Sequence, residues 1–261
     1  MAISPRAREI AENLNMNTPR RAGEECLVTP RYAAIIAQEP EPHRNVVQRL
    51  RLEPSLVAPT VAEVRALFAA RGRTQAMWEV SDNATPADLG ERLAALGMVP
   101  FAAEPIVVGM VLARPLPDVE EDVVVQEVTT LDDYRVAAGI FTACFGVHAD
   151  GSDPEAIARS HARARDFPSF RRYLAFLGGE PVAAADAIFL DEVVVMCGGA
   201  TLPSARGKGT YRALIAARWE EGRRRGAPVL VTQAGAMSRP ILRRLGFEEV
   251  VTIRIYLDSF G

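Results

Sequence analysis

Residues 198–226 carry basic residues and glycines where an apolar run gives way to an amphipathic pattern. This is the point at which a strand should pass into a helix, and RGKG places Arg206 and Lys208 beside Gly207 and Gly209. A helix N-terminus exposes unpaired N–H groups with partial positive charge, and glycine lets the backbone approach a ligand closely. These residue types in this order predict an anion site, with phosphate as the expected ligand chemistry.

Two common phosphate-binding motifs do not fit this loop. A Walker loop needs Ser or Thr after its lysine, and Lys208 is followed by Gly209. A dinucleotide-binding fingerprint needs a third glycine where this sequence has Arg212. That fingerprint also follows the first strand of its unit, whereas this loop follows a predicted antiparallel meander. A phosphate- or nucleotide-binding protein of some other kind stays an alternative at this point.

The loop resembles the acyl-CoA pyrophosphate loop of the GNAT superfamily of N-acetyltransferases. That signature is Arg or Gln, two residues, Gly, one residue, then Gly or Ala; RGKGTY matches at Arg206 and Gly209 and departs at Tyr211. The preceding ATLP resembles the strand whose end separates from its neighbour and pairs with the pantetheine arm, and LRRLGF resembles the family's last helix. The order of elements over residues 123–258 also agrees, so the resemblance covers about half of the chain.

The resemblance implies an N-acetyltransferase that uses acetyl-CoA as cosubstrate, needs no metal, and lets a primary amine attack the thioester directly. The acceptor stays open among a small amine, an amino acid, an antibiotic and a protein N-terminus. The implied cofactor-binding residues act mostly through main-chain groups and are Gly199, Ala200, Thr201, Leu202, Arg206, Gly207, Lys208, Gly209, Thr210, Tyr211 and Arg212.

Two departures from the family concern the last helix. The tyrosine that usually protonates the leaving thiolate is Leu242 here, and a frequent asparagine near the helix start is Gly235. Leu242 leaves the acid step without the family's tyrosine, so that solvent or another residue would have to serve. The two departures favour, as the alternative function, a non-catalytic acyl-CoA-binding sensor or scaffold.

Candidate catalytic and substrate residues come from three places. Asp186 lies in the apolar run VAAADAIF, where a carboxylate is expensive to bury without a partner, so it is either a hydrogen-bonded structural residue or a general base. Glu192 is the reserve base, with a turn residue as its other interpretation. His148 and Asp150 lie in the loop FGVHADGSD, which in the family faces the acceptor substrate.

The predicted elements give an α/β fold with a mixed sheet and two GNAT-like domains. Pro115, Pro117 and four acidic residues place the boundary near residue 120, giving domains 1–120 and 121–261. The second half is predicted as strand, helix, helix, three strands, helix, strand, helix, strand, and binds the cofactor. The first half has no Gly-x-Gly loop and is taken as a degenerate copy. The similarity of ADLGERLAALGMVPF to SRPILRRLGFEEV predicts an internal duplication.

Composition restricts the setting of this chemistry. The chain has 261 residues, 49% of them hydrophobic, and a net charge of -3, which argues against nucleic acid as a partner. The cysteines Cys26, Cys144 and Cys197 show no zinc spacing and are expected as reduced thiols. No apolar run has membrane-spanning length, and the first residues lack the apolar core of a signal peptide. We therefore expect a cytoplasmic protein with a small-molecule or peptide amine as its acceptor; a homodimer is open.

Overall fold

The computed structural model describes residues 2–20, 23–116, 122–146 and 153–261, and they form two compact units. The first unit joins Ile3–Val111 with Gln233–Gly261, and the second unit is built from Leu112–Thr232. These units differ from the predicted domains 1–120 and 121–261, because residues 233–261 group with the N-terminal residues. The predicted boundary near residue 120 lies outside the described residues, and the functional roles of the two domains stay a prediction.

The described residues form eight helices: α1 Pro5–Glu12, α2 Leu14–Asn17, α3 Val57–Ala69, α4 Leu89–Ala95, α5 Leu131–Phe145, α6 Pro154–Arg165, α7 Thr210–Arg224 and α8 Arg239–Arg244. They also form twelve strands: β1 Glu25–Val28, β2 Ala33–Ile36, β3 Val46–Gln48, β4 Gln75–Ser81, β5 Val99–Pro100, β6 Ile106–Leu112, β7 Val123–Glu127, β8 Phe170–Leu177, β9 Glu180–Phe189, β10 Val194–Thr201, β11 Leu230–Ala234 and β12 Glu248–Ser259. The predicted order of elements in the second half, from β7 to β12, is confirmed.

The first unit is a mixed sheet in the order β1-β2-β3-β4-β12-β6, with β5 also pairing with β12. The last strand of the chain, β12, runs antiparallel to β4 from Ile253 opposite Ser81 to Ser259 opposite Gln75. Its other edge pairs with β6. Asp258 on β12 is fully buried and forms an ion pair with Arg65 at 2.7 Å. These pairings are the physical reason why residues 233–261 belong to the first unit.

Two elements near the N-terminus differ from the sequence interpretation. The segment CLVTPRYAAIIAQ reads as one strand, whereas the structure has the antiparallel pair β1 and β2. The chain turns between them, with the N–H of Thr29 donating to the carbonyl of Tyr32 at 2.9 Å. Pro30 lies in that turn and cannot donate to a strand ladder. Helices α1 and α2 were not predicted.

The similar segments around α4 and α8 end in the same way. Gly97 and Gly246 both have φ of +93°, a conformation that favours glycine. The N–H of Met98 donates to the carbonyl of Leu93 at 3.1 Å, and the N–H of Phe247 donates to that of Leu242 at the same distance. The sequence similarity therefore corresponds to one helix ending used twice in the first unit.

The second unit is a sheet in the order β11-β10-β9-β8-β7, antiparallel from β7 to β10 and parallel between β10 and β11. Helix α5 begins after Thr130, whose side chain accepts from the N–H of Asp133, and α6 begins after Asp153, which caps it in the same manner. The α5 side of the sheet is covered by a small apolar core: Ala137, Ile140, Phe141, Leu174, Ala184 and Ala200. Ala200 of this core lies in β10, so the core packs against the strand that leads into α7.

Two buried glutamates of the first unit have opposite environments. Burial raises the pKa of Glu12, but hydrogen bonds from Arg51, Ser81 and Asn83 outweigh it, and the pKa is lowered. Glu79 accepts one hydrogen bond from Asn15 at 2.9 Å, and burial raises its pKa to about 8. The Glu79 carboxyl is therefore protonated near neutral pH in the folded protein.

Glu79 should make the stability of the protein fall as pH rises. The folded state retains a proton at Glu79 between about pH 4.5 and about pH 8, which an exposed glutamate loses. The free energy of unfolding should therefore decrease across this range and level off above it. We expect Glu79→Gln to remove this slope, a difference on the order of a few kcal/mol, in denaturant titrations at both ends of the range. Glu91→Gln, at an exposed position, is the control. If the free energy of unfolding of Glu79→Gln changes with pH as it does in the wild type, the raised pKa of Glu79 is wrong.

Candidate active site

The N-terminus of α7 is open. Gly209 precedes the helix in a left-handed conformation, with φ of +75°, and offers no side-chain cap. The N–H groups of Thr210 and Tyr211 donate to no acceptor in the part of the chain that the structure describes. Gly207 is also left-handed, at +77°. Because helix N-termini need acceptors for these donors, this turn is suited to an anion.

The turn before α7 is held by its own hydrogen bonds. The N–H of Lys208 and the hydroxyl of Thr210 both donate to the carbonyl of Ala205, each at 3.4 Å. Thr210 is buried, so its hydroxyl serves the turn. Arg206 is exposed and donates to the carbonyl of Thr201 at 3.3 Å, and the Lys208 side chain is exposed. Residues 198–212 contain three basic and no acidic residues, which makes the turn electropositive.

Strand β10 separates from β11 before it ends. The two strands pair only at Val194 with Leu230 and Val195 with Val231, whereas β10 stays paired with β9 as far as Thr201. The hydroxyl of Thr201 is buried and has no hydrogen-bond partner among the described residues. An open strand edge with an unsatisfied buried oxygen suits a ligand that carries amide groups, such as pantetheine. The role of β10 in binding pantetheine stays a prediction.

The predicted cofactor-binding residues lie together around this turn and strand end. Ala200 is buried and Leu202 packs against the apolar core below α5, so only their backbone groups could meet a ligand. Gly199 lies against the ring of Tyr211, and Arg212 is half-buried in the first turn of α7. Their role in binding stays a prediction.

Asp186 does not have the apolar surroundings expected of it. Its carboxylate accepts two hydrogen bonds from the buried guanidinium of Arg172, at 2.7 and 2.8 Å. That guanidinium also lies over the ring of Tyr134, 4.2 Å from its centre. The sequence interpretation missed Arg172, which is 14 residues away on the neighbouring strand. This geometry favours the structural interpretation, so Asp186 is not used as a base in the mechanism below.

The other predicted polar residues lie elsewhere. Glu192 is exposed in the turn before β10, and the open part of that strand lies toward its other end, at Thr201. Its role as the reserve base stays a prediction. His148 and Asp150 lie outside the described residues, and their role stays a prediction.

Arg218 was not predicted and lies in the core of the second unit. It is fully buried and donates to the carbonyls of Leu214 at 2.9 Å and Asp186 at 3.1 Å. Its Nη2 has no hydrogen-bond partner among the described residues, and burial lowers the pKa of the guanidinium. The spacing of four from the inward-facing Leu214 is the signal that could have identified it, because such residues share a helix face.

The first unit explains the two departures in the last helix. Leu242 is buried in the core. A side chain at position 235 would collide with the carboxylate of Glu104, which accepts a hydrogen bond from the N–H of Ala236 at 3.1 Å. The space of the missing asparagine is thus filled by Glu104.

The described residues contain neither a candidate metal site nor a helix that could span a membrane. No group of three or more histidine, cysteine, aspartate or glutamate side chains in residues 2–20, 23–116, 122–146 and 153–261 could hold a metal ion. Within the same ranges, no helix combines the length and apolar character that crossing a bilayer requires.

Comparison with known proteins identifies the fold. No protein-family model and no curated protein matches the sequence. A GCN5-related N-acetyltransferase from Kribbella flavida matches all of this chain and 98% of its own, with a TM-score of 0.73 and 20% identity. A tandem GNAT protein from the clavulanic acid biosynthesis pathway covers 100% and 90%, with a TM-score of 0.63 and 15% identity. The chain has the tandem GNAT fold. This confirms the predicted fold class, and at these identities the likeness extends to the fold alone.

The Arg172–Asp186 pair should dominate the effect of mutating Asp186 in this GNAT fold. Asp186→Asn leaves a buried guanidinium without its counter-charge and should lower the free energy of unfolding by about 3–5 kcal/mol. Asp132→Asn is the control, because Asp132 forms an exposed ion pair with Arg135. This variant should change the free energy of unfolding by about 1 kcal/mol or less. Denaturant titration measures both. A stable Asp186→Asn protein would contradict the structural assignment.

Proposed function

We propose that this protein is an acetyl-CoA-dependent N-acetyltransferase that acts on a primary amine. The observation that carries the proposal is the open N-terminus of α7 directly after the unpaired end of β10, because one element suits a pyrophosphate and the other an amide-bearing arm. The GNAT fold supports it. We propose that the second unit provides the cofactor site.

The α7 turn would supply much of the binding energy. Charge-assisted hydrogen bonds contribute about 1.5–3 kcal/mol each. Three or four of them, from the N–H groups after Gly207 and the side chains of Arg206 and Lys208, would give roughly micromolar affinity for a pyrophosphate. The unpaired groups of β10 would then orient the pantetheine arm.

Bound acetyl-CoA supplies the thioester carbonyl that the amine attacks, so that a C–N bond forms and the C–S bond breaks. N–H groups on the open edge of β10 would stabilise the negative charge that develops on the carbonyl oxygen. The amine must attack in its neutral form. At pH 7 this costs about 4.6 kcal/mol for a lysine-like amine and about 1–1.4 kcal/mol for an α-amino group. Because Asp186 is paired with Arg172, the site favours the acceptor of lower pKa.

The alternative function is a non-catalytic acyl-CoA-binding sensor or scaffold. The buried Leu242 and the occupied space at Gly235 favour it, because the last helix offers neither of the polar side chains common in the family. The two functions differ in turnover, since a sensor binds acetyl-CoA but releases no free thiol with any amine.

Acetyl-CoA should stabilise the protein through the α7 turn. At 100 times its dissociation constant, a ligand adds about 2.7 kcal/mol, so a thermal-shift assay should show a higher Tm. Gly209→Glu should abolish the shift, because its carboxylate repels the pyrophosphate. Gly226→Glu is the matched control, since Gly226 has a similar φ of +82° and follows the other end of α7. No shift in the wild type, or the same shift in Gly209→Glu, would refute the site.

The acceptor preference should follow amine pKa. With equal concentrations of α-amino and ε-amino acceptors at pH 7, free-thiol release should be faster with the α-amino compounds, because more of the amine is neutral. Raising the pH should reduce the difference in the rate of thiol release between the α-amino and ε-amino acceptors. If no amine leads to free-thiol release at any pH, the sensor function is the better account.

A further inference from the structure

Gly199 and Tyr211 contact each other at the join of the two proposed binding elements. An ideal Cβ at Gly199 would lie 2.9 Å from Cε2 of Tyr211, and 3.7 and 3.8 Å from two further ring atoms. Carbon atoms normally pack at about 3.5–4.0 Å, so even a methyl group does not fit at position 199 while the ring is in place. The tyrosine ring therefore uses the space that a side chain on β10 would otherwise fill.

The ring, and not the hydroxyl, makes this contact. The atoms of Tyr211 nearest to Gly199 are the ring carbons Cε2, Cδ2 and Cζ, and burial raises the pKa of the hydroxyl. Near Gly199, β10 is irregular, because its register with β9 shifts between Cys197 and Gly199. A flat ring against a glycine gives this irregular segment a surface to pack on.

The rest of α7 has separate attachments. Arg218, two helical turns further on, donates to the carbonyl of Asp186 on β9, and Leu214 and Ile215 are fully buried. The body of the helix therefore stays in place without Tyr211. Its first turn has no side-chain cap, and the Tyr211 ring packs against Gly199 there.

We propose that Tyr211 is a positioning residue whose ring, packed on Gly199, fixes the first turn of α7 relative to the open end of β10. Resting on the proposed function, this contact sets the spacing between the pyrophosphate-binding turn and the pantetheine-binding strand. It also accounts for the departure at Tyr211 from the loop signature, because a large residue on the helix is matched by glycine on the strand.

The test removes the Tyr211 ring and then fills its space with a side chain at position 199. The variants are Tyr211→Ala, the conservative Tyr211→Phe, and the exchanged pair Gly199→Leu with Tyr211→Ala. Phe189→Ala is the matched control, because Phe189 is a buried aromatic residue at the far end of β9. Acetyl-CoA affinity is measured by calorimetry on the full chain. Amide hydrogen exchange is followed without ligand at Ala213, whose N–H donates to the carbonyl of Gly209 at 2.9 Å.

We expect Tyr211→Ala to weaken acetyl-CoA binding about ten- to hundred-fold, as small misplacements of a binding element do, and to speed exchange at Ala213. Tyr211→Phe and the exchanged pair should recover most of the affinity and protection. Phe189→Ala should lower Tm without either effect. If Tyr211→Ala behaves like Phe189→Ala in both measurements, the proposal is wrong. If the wild type does not bind acetyl-CoA, the proposed function fails, and exchange at Ala213 alone decides the positioning role.

Discussion

Two guanidinium groups bonded to one residue organise the second unit. Arg172 neutralises the carboxylate of Asp186, and Arg218 donates to the carbonyl of the same residue. Their hydrogen bonds connect β8 and α7 to β9, and the ring of Tyr134 adds α5 through its contact with Arg172. Buried charges are tolerated only when they are paired or hydrogen-bonded, so this arrangement permits one geometry of helix and sheet. The body of α7 is placed against β9 by that geometry.

The candidate site is made of what the fold leaves unsatisfied. Gly209 begins α7 without capping it, β10 loses its pairing with β11 after Val195, and Thr201 has a buried hydroxyl without a partner among the described residues. Each of these costs stability in the absence of a ligand, because unmade hydrogen bonds of buried groups are expensive. Together they lie within a short stretch of chain.

Local sequence patterns predicted the elements of this site, and long-range pairing could not be predicted. The glycines and basic residues of the loop act over a few residues, so local patterns identified the strand–turn–helix and the order of the later elements. The partner of Asp186 is on another strand, and no local pattern of a single sequence pairs the two residues. The burial of Arg218 also depends on tertiary contacts, although its spacing of four from Leu214 is a local signal for it.

The last strand of the chain shows the strongest such long-range effect. Strand β12 lies between β4 and β6, so the sheet of the first unit lacks an inner strand until residues 248–259 are available. Asp258 on that strand supplies the buried carboxylate for Arg65, which is 193 residues earlier. Contacts between residues so far apart in the sequence form late, because the entropy cost of closing the long loop between them must first be overcome. The described part of the second unit comes, apart from Ala2, from the single segment Leu112–Thr232. Cutting the chain near residue 120 would therefore leave that segment whole but would remove the inner strand β12 from the N-terminal piece.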